Sequence, residues 1–232
     1  MIVISGASNN HYLTFVNFID SFINNNINSL LILYNLGFDD EKWNFIKNKY
    51  NMNTNIIYKI FDFSKYPEWF DIKINAGQYA WKPTIIYDIS LDFPNEILIW
   101  MDAGNLINNN LSIIENFLIE NGIYSATSSG SILDWTHPNT INYMNCTFTN
   151  KKNRNGACIG FNLNKKFAKK LLEDFYKYSH IKECIYPDGS SCENHRQDQS
   201  VFTILYYKYL KEENNILICD DYLGYTVHND ID

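Results

Sequence analysis

Short apolar runs separated by amphipathic stretches recur from the first residue of this 232-residue chain, and that alternation constrains its architecture most. Residues 2–5 form one run, followed by a polar corner and an amphipathic stretch over 11–23. LLILY at 30–34 is a second run, with a helical pattern at 39–50, and 56–61 is a third. Pro83 suits the first turn of a helix reaching about residue 90. ILIWM at 97–101 is apolar throughout, as expected of a strand covered on both faces. Strands alternating with helices predict an α/β chain with a mainly parallel central sheet, right-handed crossovers and helices on both faces.

The second half is less regular. Helices are expected over 110–120, 164–178 and 197–211, and strands over 123–126, 157–162 and 216–219. Two loop-rich stretches, 128–155 and 179–195, lie between them, and long loops in a compact domain commonly bind ligands. Hydrophobic residues make up 46% and charged residues 19%, enough for a full core. No repeat or linker interrupts the pattern, which predicts a single domain over residues 1–232.

Charge and composition exclude several classes. The net charge is −7, and Arg154 and Arg196 are the only arginines, so no basic stripe is available and nucleic acid is excluded as the main partner. No apolar stretch approaches the roughly 20 residues that span a bilayer, so membrane insertion is not expected. MIVISGASNNHY lacks the basic and apolar regions of a signal peptide. The five cysteines are odd in number and scattered, which predicts reduced thiols and a cytoplasmic location, where sequons at Asn110 and Asn145 carry no consequence. The Asn-rich runs reflect an A/T-rich coding bias rather than a prion-like segment.

In open α/β sheets, ligands bind beyond the carboxyl ends of the strands. Ser5-Gly6-Ala7-Ser8 follows the first strand, Asp102-Ala103-Gly104-Asn105 follows ILIWM, and Asp220, Asp221 and His228 stand near the last. Small residues let backbone approach a ligand, and an acid at a strand exit can hold a cation or a ribose hydroxyl. Tyr79, Trp81 and Lys82 cluster before a helix, where aromatic faces stack bases and a lysine attracts phosphate. His195, Arg196 and Asp198 open another helix. Each group also has a plain reading: a turn acid at Asp102, core aromatics at Tyr79 and Trp81, a first-turn acid at Asp198. A dehydrogenase reading fails because Asn9, Asn10, His11 and Tyr12 stand where dinucleotide turns need glycine, despite the Tyr207…Lys211 spacing. His180, Cys184, Cys192 and His195 fit no common zinc spacing.

GQYAWKPTII at 77–86, ILIWMDAGN at 97–105 and HRQDQSVFTIL at 195–205 together resemble a family of small GT-A-type nucleotide-sugar glycosyltransferases from polysaccharide clusters and large DNA viruses. The resemblance spans almost the whole chain. It implies a GT-A-like (Rossmann-like) fold and transfer of a sugar, from a UDP-sugar by preference, to a glycan or other hydroxyl acceptor. It also implies host cytoplasm if the chain is viral. Asp102 resembles the first acid of the Asp-x-Asp motif, which contacts donor ribose and a divalent metal, Mn²⁺ or Mg²⁺. Gly104 departs from the pattern by replacing the second acid, leaving Asn105, Asp220 or His228 as substitutes, or no metal at all. By the same resemblance Ser5, Gly6, Ala7, Tyr79, Trp81, Lys82, Asp102, Ala103, Gly104 and Asn105 belong to the donor site, with metal ligation assigned to Asp102 and His228. Arg196, His195 and Lys82 are candidate phosphate contacts. Asp198 is the base of an inverting enzyme or an orienting group in a retaining one, and Trp135 and His137 are candidates for acceptor stacking. The lost second acid also fits a catalytically degenerate sugar- or nucleotide-binding module.

Overall fold

A computed structural model describes residues 1–26, 28–213 and 216–232. In chain order the elements are β1 (Ile2–Ala7), α1 (Tyr12–Asn26), β2 (Leu30–Asn35), α2 (Asp40–Lys49), β3 (Ile56–Ile60), α3 (Trp81–Asp92) and β4 (Ile97–Met101). There follow β5 (Leu106–Ile107), α4 (Ser112–Asn121), β6 (Ile123–Tyr124), β7 (Thr127–Ser131), α5 (Ile132–Trp135), α6 (Pro138–Tyr143) and β8 (Lys152–Arg154). The last are β9 (Cys158–Asn162), α7 (Lys166–Ser179), α8 (Lys182–Ile185), α9 (Gln197–Glu212) and β10 (Tyr225–Thr226).

The central sheet runs β3-β2-β1-β4-β9-β6. β1 to β4 are mutually parallel where they pair, and β9 lies antiparallel to both β4 and β6. Apart from the edge strand β3, where Ile57 and Ile60 are exposed, its strands are buried on both faces, and the side chains divide by alternation. Ile2, Ile4, Ile32, Leu98 and Trp100 face α3, α7 and α9, whereas Val3, Leu31, Leu33, Ile97 and Ile99 face α1, α2 and α4. Each such fully buried aliphatic side chain adds roughly 1.5–3 kcal/mol relative to exposure. Local signals set the element ends: Asp39 accepts the Lys42 backbone N–H at 2.8 Å, and α2 carries acids in its first turn and lysines in its last.

Two expectations change. The apolar run 216–219 is not a strand; Leu217 and Ile218 are exposed, and the pairing falls later, where β10 joins β5 antiparallel. The stretch 128–155 is not merely loop, since β7 and β8 form a ribbon flanking α5 and α6.

The segment after α9 is laced to the core. Fully buried Arg154 donates to Asp220 at 2.8 Å and to the carbonyls of Ser125 and Cys219, and its guanidinium lies 4.7 Å from the centre of the Tyr206 ring. Further on, the Asn229 N–H donates to the Gly104 carbonyl (2.9 Å), and the Asp232 carboxylate accepts the N–H groups of Leu13 and Thr14 (2.6 and 2.7 Å), capping α1. Among the described residues no helix is long and apolar enough to cross a membrane.

Candidate active site

A cleft of about 390 Å³ opens beyond the carboxyl ends of β1 and β4. Gly6, Ala7, Tyr79, Trp81, Asp102, Ala103, Gly104, Asn105 and His228, all expected from sequence, line it. Ser5 does not: it is fully buried one residue earlier, with no partner for its hydroxyl. Gly6 leaves little room for a side chain, since a Cβ there would stand 3.1 Å from the Tyr34 Cβ. Tyr79 and Trp81 are presented by an unusual wall, residues 75–79, whose five φ angles all lie near +50°. The Trp81 indole N–H donates to the Ala76 carbonyl (2.9 Å), tying that wall to α3.

Beneath the cleft, β4 ends and its side chains meet those of two helix starts. Lys82, in the first turn of α3 and 3% exposed, places Nζ 3.1 Å from Asp102 Oδ1, 3.0 Å from Asp198 Oδ2 and 3.1 Å from the Gly156 carbonyl. One ammonium proton goes to the Gly156 carbonyl, and the two carboxylates pair with the charge. Trp100 donates its indole N–H to the same Asp102 oxygen at 2.5 Å. Asp198 sits in the first turn of α9, as the sequence suggested, and it is buried rather than solvated. Burial pushes the Asp198 carboxyl up to about 6, Lys82 opposes the shift, and the nearby Asp102 charge reinforces it. Burial alone would lower Lys82, yet Asp102 and then Asp198 hold it above the usual lysine range, so the ammonium stays charged between its carboxylates.

Other expected residues lie elsewhere. Lys82, His195 and Arg196 do not line the cleft, so the expected phosphate contacts are not brought to it. His195 is fully buried: Nε2–H donates to the Ile185 carbonyl (3.1 Å), and Nδ1 accepts the His137 backbone N–H (3.2 Å). Burial pulls its pKa down to about 4, which keeps the ring neutral. Arg196 stacks on Trp135 with its guanidinium carbon 4.0 Å from the ring centre, and its Nε is buried without a partner. His137 accepts from the Asn139 N–H and packs outside the cleft. The cysteines are free, and among the described residues no three His, Cys, Asp or Glu side chains form a ready metal shell.

The lining also includes residues that no sequence signal marked, chiefly Asn10, His11, Ala157 and Asp230. His11 Nδ1 lies 3.6 Å from Asp230 Oδ1. Among the described residues the lining therefore holds two carboxylates, Asp102 and Asp230, and no lysine or arginine.

Solved structures share this fold. Over 90% of the chain it superposes on 38% of the apo structure of WbbM, a bifunctional glycosyltransferase, with a TM-score of 0.57 at 12% identity. It covers 70% of the galactosyltransferase LgtC, solved with donor and acceptor sugar analogues, over 89% of its own length, with a TM-score of 0.56 at 13% identity. It covers 84% of mouse xyloside xylosyltransferase 1 over 90% of its own length, with a TM-score of 0.51 at 11% identity. The fold is that of the GT-A glycosyltransferases. The chain spans well under half of WbbM. Residues 1–87 match a family described as a protein of unknown function, DUF1647. No curated protein matches the chain in sequence.

Proposed function

We propose that the chain transfers a sugar from a nucleoside-diphosphate donor, with uridine diphosphate the first candidate, to a hydroxyl of a glycan acceptor in the cytoplasm. The observation that carries this reading is the Asp102–Lys82–Asp198 cluster, set at the exit of β4 under a cleft of nucleotide size. Three separated segments converge on one ammonium group there, a construction more elaborate than a turn acid needs. In this reading Gly6 and Ala7 form the backbone wall for base and ribose, Tyr79 offers a partly exposed ring for stacking, and Asp102 meets the ribose. Transfer needs charge stabilisation on the departing diphosphate. A divalent cation bound when the donor binds supplies that stabilisation, and the cleft's oxygen donors Asp102, Asn105 and Asp230 suit such an ion. Asn105 Oδ1 is a buried acceptor with no partner in the fold, and a lining with two carboxylates and no lysine or arginine favours bringing a cation in with the diphosphate.

Asp198 is held from below by Lys82 and is almost wholly buried. That position suits orienting a donor hydroxyl better than collecting a proton from an acceptor approaching through solvent. The direct test is nucleotide release. The chain is incubated with UDP-glucose, UDP-galactose, UDP-N-acetylglucosamine and GDP-mannose, each with Mn²⁺, and free nucleotide is quantified for wild type and Asp198→Asn. Release from one donor, reduced at least about 100-fold in the variant, is the expected result. Equal release by wild type and variant would remove Asp198 from the reaction.

A further inference from the structure

The two arginines of the chain have opposite surroundings. Arg154 is fully buried and pairs with Asp220 at 2.8 Å. Arg196 is half-buried at the start of α9 and has no ion-pair partner among the described residues; the nearest acid along the helix, Asp198, is committed to Lys82. Its guanidinium carbon lies 4.0 Å from the centre of the Trp135 ring, so one face of that indole holds a cation and is closed to a sugar. The Arg196 backbone N–H donates to the Trp135 carbonyl (3.1 Å), and the Ser200 hydroxyl donates to the same carbonyl (2.7 Å), which fixes the pair. Neutral, buried His195 binds the neighbouring segments together. Nδ1 accepts the His137 N–H (3.2 Å), Nε2–H donates to the Ile185 carbonyl (3.1 Å), and the His195 backbone N–H donates to the Ser191 carbonyl (2.9 Å). Three polar atoms of these segments have no partner in the fold: Arg196 Nε, the hydroxyl of Thr136, which is 2% exposed, and the hydroxyl of Ser190. Buried polar atoms left unmet are rare in folded proteins, and three in one place point to a ligand.

The geometry points to an acceptor subsite in which Arg196, braced on Trp135, receives an oxyanion carried by the acceptor sugar, the carboxylate of a uronic acid or a sugar phosphate. A guanidinium is charged at every physiological pH, and its fork of N–H donors matches a two-oxygen anion. The indole behind it keeps that fork in place, and a point-charge lysine could not reproduce the arrangement. Arg196 does not line the donor cleft, yet it stands two residues before Asp198, whose Oδ2 meets Lys82 (3.0 Å) beneath that cleft. Two residues of helix advance only about 3 Å along the axis, which puts the anion site next to the reaction and outside the donor's walls. The chain is acidic at net charge −7, so an anionic acceptor needs a dedicated cation to be held at all. The acceptor role rests on the proposed function; recognition of an anionic sugar by Arg196 does not.

Saturation-transfer NMR titrations of the full chain test this with three probes: methyl β-D-glucuronide, glucose 6-phosphate and the neutral methyl β-D-glucoside. Wild type is expected to bind at least one anionic probe at least about tenfold more tightly than the glucoside, and the two anionic arms tell which oxyanion fits. Arg196→Gln is expected to bind all three alike, and Arg196→Lys to keep only part of the preference. Thermal unfolding of each variant checks that it folds. The wild-type comparison needs no variant: equal binding of the glucoside and both anionic probes would overturn the proposal. A preference that survives unchanged in folded Arg196→Gln would overturn it too. The titrations are repeated with UDP and Mn²⁺. Displacement of the anionic probe by UDP would give Arg196 to the donor and overturn the acceptor role. If UDP binds and no anionic preference is found, the subsite falls and the transferase reading stands. If the preference depends on Arg196 and no nucleotide binds, the anionic-sugar site stands and the transferase reading falls.

Discussion

At Lys82 a single ammonium group neutralises one carboxylate's worth of charge while serving two carboxylates and a carbonyl. Lys82→Met leaves Asp198 buried against Asp102 with no cation between them, and is expected to cost about 3–5 kcal/mol in urea unfolding. Lys82→Arg is not expected to restore it, since a planar fork replaces a point charge with three radial donors. A loss below about 1 kcal/mol would show that the cluster is solvated in solution. His195 makes the opposite kind of demand, because its ring must stay neutral. Its folded pKa of about 4 lies below the free value of 6.5, so the unfolded chain binds more protons between those limits. Its contribution to stability is present above pH 6.5 and is lost as pH falls toward 4, to a total of about 3 kcal/mol. Asp198 slopes the other way, its folded pKa of about 6 lying above the model-peptide 3.8, so its contribution is present at low pH and lost as pH rises through 6. The His195 effect is therefore read as a difference: wild type minus His195→Gln stability should fall between pH 6.5 and 4. A flat difference would mean that the imidazole is hydrated.

Among the elements, the wall at residues 75–79 carries the greatest backbone strain. Left-handed φ costs roughly 1–2 kcal/mol per non-glycine residue, and Asn75, Ala76, Gln78 and Tyr79 all adopt it. Gly77 is the position where no other residue fits, because a Cβ would stand 2.2 Å from the Phe70 carbonyl oxygen. Gly77→Ala should destabilise the fold by at least about 2 kcal/mol and weaken nucleotide binding through Tyr79 and Trp81; wild-type thermal stability in that variant would contradict the turn. Nothing in NAGQY announces such a turn except one glycine. By contrast β1 to β4 were legible because each carries a nearly continuous apolar run, broken only by residues such as Ser5, Asn35 and Lys59. The antiparallel course of β9 was not, since direction leaves no mark on composition. The run 216–219 misled because it is apolar yet largely exposed, at Leu217 and Ile218. Asp102, Lys82 and Asp198 were visible as three motifs, but their meeting on one ammonium depends on how α3 and α9 abut β4. Asp230 had no signal at all; only the fold, by bringing the segment after β10 to Gly104, places it in the cleft.

Across the whole molecule, a scaffold with helices on both faces holds a cleft beyond the carboxyl ends of its central strands, and the segment after α9, tied down by Arg154–Asp220 and the Asp232 cap, adds His228 and Asp230 to its lining. The cleft is acidic, as is the chain at net charge −7, so an anionic donor must be received by local chemistry rather than by long-range attraction. The central claim is that this cleft receives a nucleoside diphosphate on Asp102. Thermal unfolding of wild type and Asp102→Asn with UDP and Mn²⁺, with GDP, CMP and NAD as comparators, tests it most directly. UDP at about 100 times its Kd should add about 2.7 kcal/mol, or roughly 5–10 °C for a chain of this size, and the gain should vanish in the variant. Equal stabilisation of wild type and Asp102→Asn, or a response to no nucleoside diphosphate, would contradict it.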